Sequence, residues 1–214
     1  MRNRIILLAL SVSVATAVTG CARGYASAPA RGFTPEAVTL REVVGSSFKA
    51  LVDDELVFVD ATGAAWRAPK GTLTDGASVP RLALWRTDGR YDDGFLKAAV
   101  LHDAHCQAEN ADRCPAQYRT RPWQDVHRMF YEAALAGGTP PTLARVMYAA
   151  VWLGGPRWDD PARSLDHVPD AALRAVFEDC ERWIEANDPS FEEVEAWMEK
   201  RERLLLDEHT TTSL

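Results

Sequence analysis

The chain has no excess of positive charge. It carries 24 basic against 31 acidic residues, for a formal net charge of −7 at pH 7. A protein that binds nucleic acid through its phosphates needs a basic surface, and no stripe of Lys or Arg supplies one here. The composition therefore excludes nucleic acid as a partner.

Complete catalytic motifs are also missing. The sequence contains no G-x-S-x-G nucleophile elbow, which a serine hydrolase using Ser78 and His102 would need, and no H-E-x-x-H motif. The chain instead reads H-D-x-H, with His105 three residues after His102, whereas the metallopeptidase motif needs its second histidine at i+4. His102 is the first histidine of the chain, whereas the HD phosphohydrolase pattern requires another upstream. No established reaction can therefore be assigned from a motif.

The longest apolar run lies at the start of the chain and is too short for a permanent membrane span. Two arginines precede the apolar residues Ile5 to Val18, an arrangement typical of an export signal. The sequence VTGC resembles the lipobox of bacterial lipoproteins, which makes Cys21 the expected lipidated residue and the membrane an expected partner. The residue after Cys21 is Ala22 and not Asp. By resemblance to lipoprotein sorting in Gram-negative bacteria, this predicts the periplasmic face of the outer membrane. The alternative is a simple secreted protein with an incidental cysteine.

Composition divides the chain into four parts. Residues 1–20 are the expected signal peptide, and residues 21–34, rich in Ala, Gly, Ser and Pro, are an expected flexible tether. Residues 35–166 are of suitable length for one α+β domain. Residues 167–214 hold thirteen acidic and five basic residues and form an expected acidic helical extension. This extension is either a charged surface or a partner-binding arm.

Hydrophobic patterning predicts strands first and helices afterwards. The runs FKALV, ELVFVD, AAWRA and KGTLTDG, between Phe48 and Ser78, alternate and are separated by turn residues, which predicts a small antiparallel β-meander. Ser190 followed by Glu193 indicates a capping box. The fold class is α+β, with the meander followed by a helical bundle. Helical spacing covers Asp93–Cys106, Arg121–Gly137, Thr142–Leu153, Asp170–Ala186 and Ser190–Glu208.

Three cysteines remain once Cys21 is assigned to lipid. In an oxidising compartment Cys106 and Cys114, which flank the loop QAENADR, are the expected disulfide, and Cys180 would stay free. Closing a loop of this length stabilises a fold by roughly 2–3 kcal/mol. The alternative is that Cys106 is a thiolate ligand of a metal.

Two histidines are predicted to meet between helices. His102 and Cys106 lie on one apolar stripe of the first helix, and His127 lies on an apolar stripe of the second. Because a short loop joins the helices, these stripes should pack together, with Asp75 in the preceding turn as a third member. Two imidazoles and a carboxylate suit a divalent transition metal, and zinc is the default for nitrogen ligands. The alternative is a set of core histidines and a turn aspartate with structural roles only.

A metal at this position would permit hydrolytic chemistry. Zinc with an open coordination position lowers the pKa of its bound water enough to attack an ester or amide. Asp103 or His105 would then carry protons or orient a ligating histidine.

Several stretches together resemble the domain of unknown function 1353 family of bacterial and phage proteins, whose activity is not established. They are TDGASVPR, GRYDDGFLKAAVLHD, HRMFYEAALAGG and VMYAAVWLGGPRW, between about Phe48 and Trp158. The residues that match the family pattern are Asp75, Ser78, Pro80, His102 and Asp103. His127 stands where the family usually has Asp, an exchange that preserves the capacity to bind metal.

Two functions follow as hypotheses. The first is a lipid-anchored envelope protein that acts by binding an envelope protein or the cell wall and has no catalytic activity. The family resemblance makes it phage-related. The second is a metal-dependent hydrolase that acts on an envelope or cell-wall substrate through the His/Asp site.

Overall fold

The computed structural model describes residues 32–75 and 93–210, and six short strands lie in the first of these ranges. The strands are β1 Gly32–Thr34, β2 Leu40–Glu42, β3 Lys49–Leu51, β4 Glu55–Val59, β5 Ala65–Pro69 and β6 Leu73–Thr74. They form two three-stranded antiparallel sheets, of order β1-β4-β5 and β2-β3-β6. Each of the four predicted strand segments overlaps an observed strand, whereas β1 and β2 were not predicted.

The β4–β5 hairpin is closed by one buried carboxylate. Asp60 Oδ1 accepts hydrogen bonds from the backbone N–H groups of Thr62 and Ala64 at 2.8 and 2.9 Å. Its Oδ2 accepts from the indole of Trp66 at 2.8 Å. A turn aspartate that bonds the backbone two and four residues ahead fixes the reversal. The hairpin thereby presents Trp66 to the helices.

Five helices follow the sheets, at the positions that the hydrophobic spacing predicts. The α+β fold class is therefore confirmed. α5 begins with the predicted capping box, since the Ser190 N–H donates to Glu193 Oε2 at 2.7 Å and the Glu193 N–H donates to Ser190 Oγ at 3.2 Å. The helices are α1 Asp93–Cys106, α2 Trp123–Ala136, α3 Pro141–Gly154, α4 Asp170–Asn187 and α5 Phe191–Thr210.

A single apolar core runs from the sheets through all five helices. α1 and α2 form an antiparallel pair. Phe95 near the start of α1 meets Phe130 in the middle of α2, with ring centroids 5.4 Å apart, and His102 further along α1 meets the earlier α2 residue His127 at 5.2 Å. The acidic helices α4 and α5 contribute Phe177, Ile184 and Met198 to the same core. Most of their charged side chains stay at least partly exposed, but Glu181 and Glu202 are buried. Among the described residues, no helix is long and apolar enough to cross a membrane.

The capping box gives a small, clean test of the fold. Ser190→Ala removes the side-chain acceptor for an N-terminal N–H of α5, so we expect the free energy of unfolding to fall by about 1 kcal/mol. Chemical denaturation measures this change. Ser190→Asp is the matched control, because it keeps a capping oxygen and should retain most of the stability. An equal loss in both variants would contradict a capping role.

Candidate metal centre

The two predicted histidine stripes meet in the seam between α1 and α2. The rings of His102 and His127 have centroids 5.2 Å apart. Phe130 packs against His102 at 5.4 Å, and Trp123 packs against His127 at 5.2 Å. The apolar spacing of both helices places these imidazoles inward, and the hairpin geometry brings them together.

Three side chains at the end of α1 gather their polar atoms at this seam. His102 Nδ1 lies 3.3 Å from Cys106 Sγ and 3.7 Å from Asp103 Oδ1. One ligand atom from each of the three residues lies within 4.8 Å of the others. His102, Asp103 and Cys106 are 4%, 3% and 5% exposed, so the group is almost fully shielded from water.

These separations fit a tetrahedral zinc ion. Ligand atoms about 2.0–2.3 Å from such an ion lie roughly 3.3–3.8 Å from one another. The observed distances of 3.3 and 3.7 Å fall in this range. Sulfur, imidazole nitrogen and carboxylate oxygen are all ligands that zinc accepts. Cys106 Sγ also lies 3.6 Å from His102 Nε2, so the imidazole must rotate for Nδ1 to face an ion shared with the sulfur.

Burial controls the protonation of the cysteine. It raises the pKa of the Cys106 thiol well above its ordinary value. The charges of Asp103 and Asp75 raise this pKa further, whereas the charge of Arg119 lowers it. Without a metal the sulfur is therefore protonated at neutral pH. A coordinated Zn²⁺ deprotonates a thiol outright, so the same sulfur becomes an anionic ligand when the ion binds.

His127 is a fourth candidate ligand. It is fully buried, and neither ring nitrogen has a hydrogen-bond partner among the residues that the structure describes. Burial lowers its pKa well below the ordinary value, assisted by the charges of His102 and Arg157. The ring is therefore neutral, which is the form that binds metals. A buried imidazole without a hydrogen-bond partner destabilises the fold unless a bound group, such as a metal ion, satisfies its nitrogen.

Gly155, just after α3, makes room for this ring. A Cβ atom added there would lie 2.5 Å from both Cε1 and Nε2 of His127. Any larger residue would displace the imidazole. The glycine lies 28 residues from His127 in sequence, and no local pattern indicates this contact.

The other predicted members lie outside the close group. Asp75 is exposed at the end of β6, and its charge acts on Cys106. His105 packs against Trp66, with centroids 5.2 Å apart. Burial lowers the pKa of His105 to about 4, together with the charges of Arg121 and His102. Ser78 and Pro80 lie outside the described residues.

The predicted disulfide between Cys106 and Cys114 is not formed, and all three described cysteines are free. The two sulfurs have different partners. Cys106 Sγ contacts His102 in the helical seam, whereas Cys114 Sγ lies 3.3 Å from Thr72 Oγ1 beside the sheet. Loop length alone does not show which way a sulfur points. The i to i+4 spacing of His102 and Cys106 was the signal for the pairing that is present.

Comparison with known proteins supports the family resemblance without adding an activity. The family model described as "Protein of unknown function (DUF1353)" matches residues 50–151. Uncharacterized protein y4iH of Sinorhizobium fredii (strain NBRC 101917 / NGR234) is 32% identical over 153 residues, which are 72% of this chain and 60% of that protein. Uncharacterized protein y4jT of the same organism is 35% identical over 107 residues, 50% of this chain and 29% of that protein.

The chain thus spans about three fifths of one curated relative and less than a third of the other. No solved structure matches it. His102, Asp103, Cys106 and His127 all lie within the matched segment. Over residues 50–151, the part that holds the candidate metal centre, the chain is similar to the DUF1353 family of proteins of unknown function.

Proposed function

We propose that this protein is a metal-binding protein of the bacterial cell envelope, anchored by lipid at Cys21, that acts by binding a partner. The observation that carries the metal assignment is the convergence of His102, Asp103 and Cys106 within 4.8 Å at the end of α1. The partner is an envelope protein or the cell wall. The lipobox sequence VTGC supports the location.

The metal has a structural role in this proposal. Structural zinc sites are closed and take all their ligands from the protein, whereas catalytic sites keep one position open for water. The three close ligands are at most 5% exposed, and His127 is fully buried beside them. An ion held in this way joins α1 to α2. Its binding energy adds to the stability of the fold.

Metal analysis of protein purified without chelator tests this assignment. We expect about one zinc ion per chain, and we expect chelation to lower the thermal midpoint, because the ion binds the folded state preferentially. A protein that carries no metal, takes up none on titration and shows no change in midpoint with zinc would contradict the proposal.

The lipid anchor makes a separate prediction. Cys21→Ser removes the sulfur to which lipid would be attached, so the protein should leave the membrane fraction and lose incorporation of labelled palmitate. Cys180→Ser, which changes a buried cysteine, is the control and should remain in the membrane fraction. Unchanged partition of the Cys21→Ser protein into detergent would rule out lipidation at this residue.

A metal-dependent hydrolase is the second candidate, and one observation favours it. Among the residues that the structure describes, three ligands lie in the close group, which is the number that catalytic zinc sites use together with water. Asp103 would then be a ligand and His105, which is neutral near pH 7, the proton acceptor, although its pKa of about 4 makes it a weak base. Metal-dependent cleavage of cell-wall fragments or of ester substrates, lost in His105→Ala with zinc retained, would favour this candidate over the binding protein.

A further inference from the structure

A broad groove lies between β1, β4, α2 and the start of α5. Its volume is about 630 Å³, which is within the range of sites that bind ligands or peptide segments. The walls come from β1, the end of β4, α2 and the start of α5. They include Phe58, Val59, Tyr131, Leu135, Ala136 and Phe191.

The floor of the groove is a preformed aromatic surface. Tyr131 and Phe191 stack with ring centroids 4.1 Å apart and planes at 12°. Phe191 also meets Tyr148 at 4.8 Å, and Tyr148 is held by its hydroxyl, which donates to Glu195 at 2.8 Å. The stacked rings are only half-buried. Rigid aromatic side chains that stay partly exposed offer contact area at low entropic cost.

The edges of the groove carry charge of one sign. Asp60, Glu132 and Glu192 line it. Arg128 lies 5.6 Å from the Phe191 ring centroid, but its guanidinium is paired with Glu195 at 2.6 Å. Burial opposes the ionisation of Asp60, but hydrogen bonds from Thr62 and Trp66 lower its pKa overall. Glu192 is exposed in the first turn of α5. An apolar floor with acidic edges selects partners that combine apolar and cationic side chains.

We propose that this groove binds a peptide segment of a partner protein that carries Lys or Arg beside aromatic or aliphatic residues. The apolar side chains pack on Tyr131, Phe191 and Leu135, and the basic side chains meet Glu132 and Glu192. The acidic edges disfavour the anionic surface of a lipid bilayer as an alternative occupant.

The groove is close to the proposed anchor, and this step rests on the proposed function. Gly32 lines the groove and follows Cys21 by eleven residues. A chain of that length spans at most about 40 Å. A lipid at Cys21 therefore keeps the groove within that distance of the membrane, where the partner segment must be available.

Selection of random peptides displayed on phage against the purified full chain tests the proposal. We expect enriched peptides to contain Lys or Arg next to aromatic or aliphatic residues. Ala136→Trp fills the groove from an exposed helix position, and Glu192→Lys reverses one edge charge. Each should weaken binding of a selected synthetic peptide at least tenfold. Ala196→Trp and Glu199→Lys, at exposed positions of α5 outside the groove, are the matched controls and should bind normally.

Three results would overturn the proposal: no enrichment, enrichment of acidic peptides, or equal affinity for wild type and Ala136→Trp. Zinc content measured on the same samples separates this proposal from the metal assignment. Full zinc occupancy without peptide binding removes the groove proposal alone. Peptide binding by protein that carries no zinc, takes up none on titration and shows no change in midpoint with zinc removes the metal assignment alone.

Discussion

Replacement of Glu202 by Ala is expected to lower the free energy of unfolding by about 3–5 kcal/mol, the usual cost of breaking a buried ion pair. Glu202 is 1% exposed. Its Oε2 accepts from Trp152 Nε1 at 2.6 Å and lies 3.4 Å from an Arg157 nitrogen, and its Oε1 accepts from Arg163 at 2.5 Å. Without the carboxylate, the buried Arg157 guanidinium loses its counter-ion. Denaturant titration measures the loss.

Two variants separate this effect from general changes in α5. Glu199→Ala removes an exposed acid one turn earlier and should change stability by less than about 0.5 kcal/mol. Glu202→Gln keeps an acceptor for the Trp152 indole and should fall between wild type and Glu202→Ala. A loss below 1 kcal/mol for Glu202→Ala would mean that the network contributes little to the attachment of α5.

The same network supports the end of α3 next to the metal centre. Arg157 donates to the carbonyl oxygens of Trp152 at 2.7 Å and Gly155 at 3.3 Å. Gly155 in turn lies against His127. Glu202→Ala is therefore also expected to loosen the position of His127, although its carboxylate touches no ligand.

His102→Ala and Cys106→Ala are expected to weaken zinc binding by more than the 10–100-fold that loss of an outer-shell partner costs, because each removes a ligand itself. Competition with a chromophoric chelator measures the dissociation constant. His127→Ala should also weaken binding if its neutral imidazole completes the coordination shell.

Two control variants change another histidine of α1 and another buried cysteine. His105→Ala removes an imidazole that packs on Trp66, and Cys114→Ala removes a thiol that contacts Thr72. Both should retain zinc with near wild-type affinity. Circular dichroism establishes that each variant is folded, so that lost metal is not confused with lost structure. Equal zinc affinity in His102→Ala and wild type would remove the assignment.

The helices could be predicted because their apolar spacing is long and regular. The predicted bounds of α1 are those observed. The short connection between α1 and α2 predicts that His102 and His127 meet, and their ring centroids lie 5.2 Å apart. β1 was not predicted because Gly32–Thr34 lies in the stretch that composition assigns to the tether, and β2 was not predicted because Leu40–Glu42 holds a single apolar residue. The sheets also differ from a simple meander: β3 pairs with β6 through Ala50 and Leu73, a contact across the intervening hairpin that local patterning does not encode.

The site was only partly visible in the sequence for similar reasons. The spacing placed His102 and Cys106 on one stripe, but the expected oxidising compartment favoured a disulfide, and only the fold shows that Cys114 faces Thr72. Gly155 reaches His127 through the packing of α3 on α2. Glu202 is one of many acids in the last two helices, and its burial follows from where α5 meets Trp152.

Substitution of the metal by cobalt(II) tests the central claim most directly. Cobalt takes the same tetrahedral ligands as zinc and reports a bound thiolate by a charge-transfer absorption in the near ultraviolet. We expect wild-type protein to bind about one cobalt ion with this absorption, and Cys106→Ala to lose it while Cys114→Ala keeps it. A wild-type protein that binds no cobalt, or a Cys106→Ala protein with an unchanged spectrum, would contradict a metal centre at the end of α1.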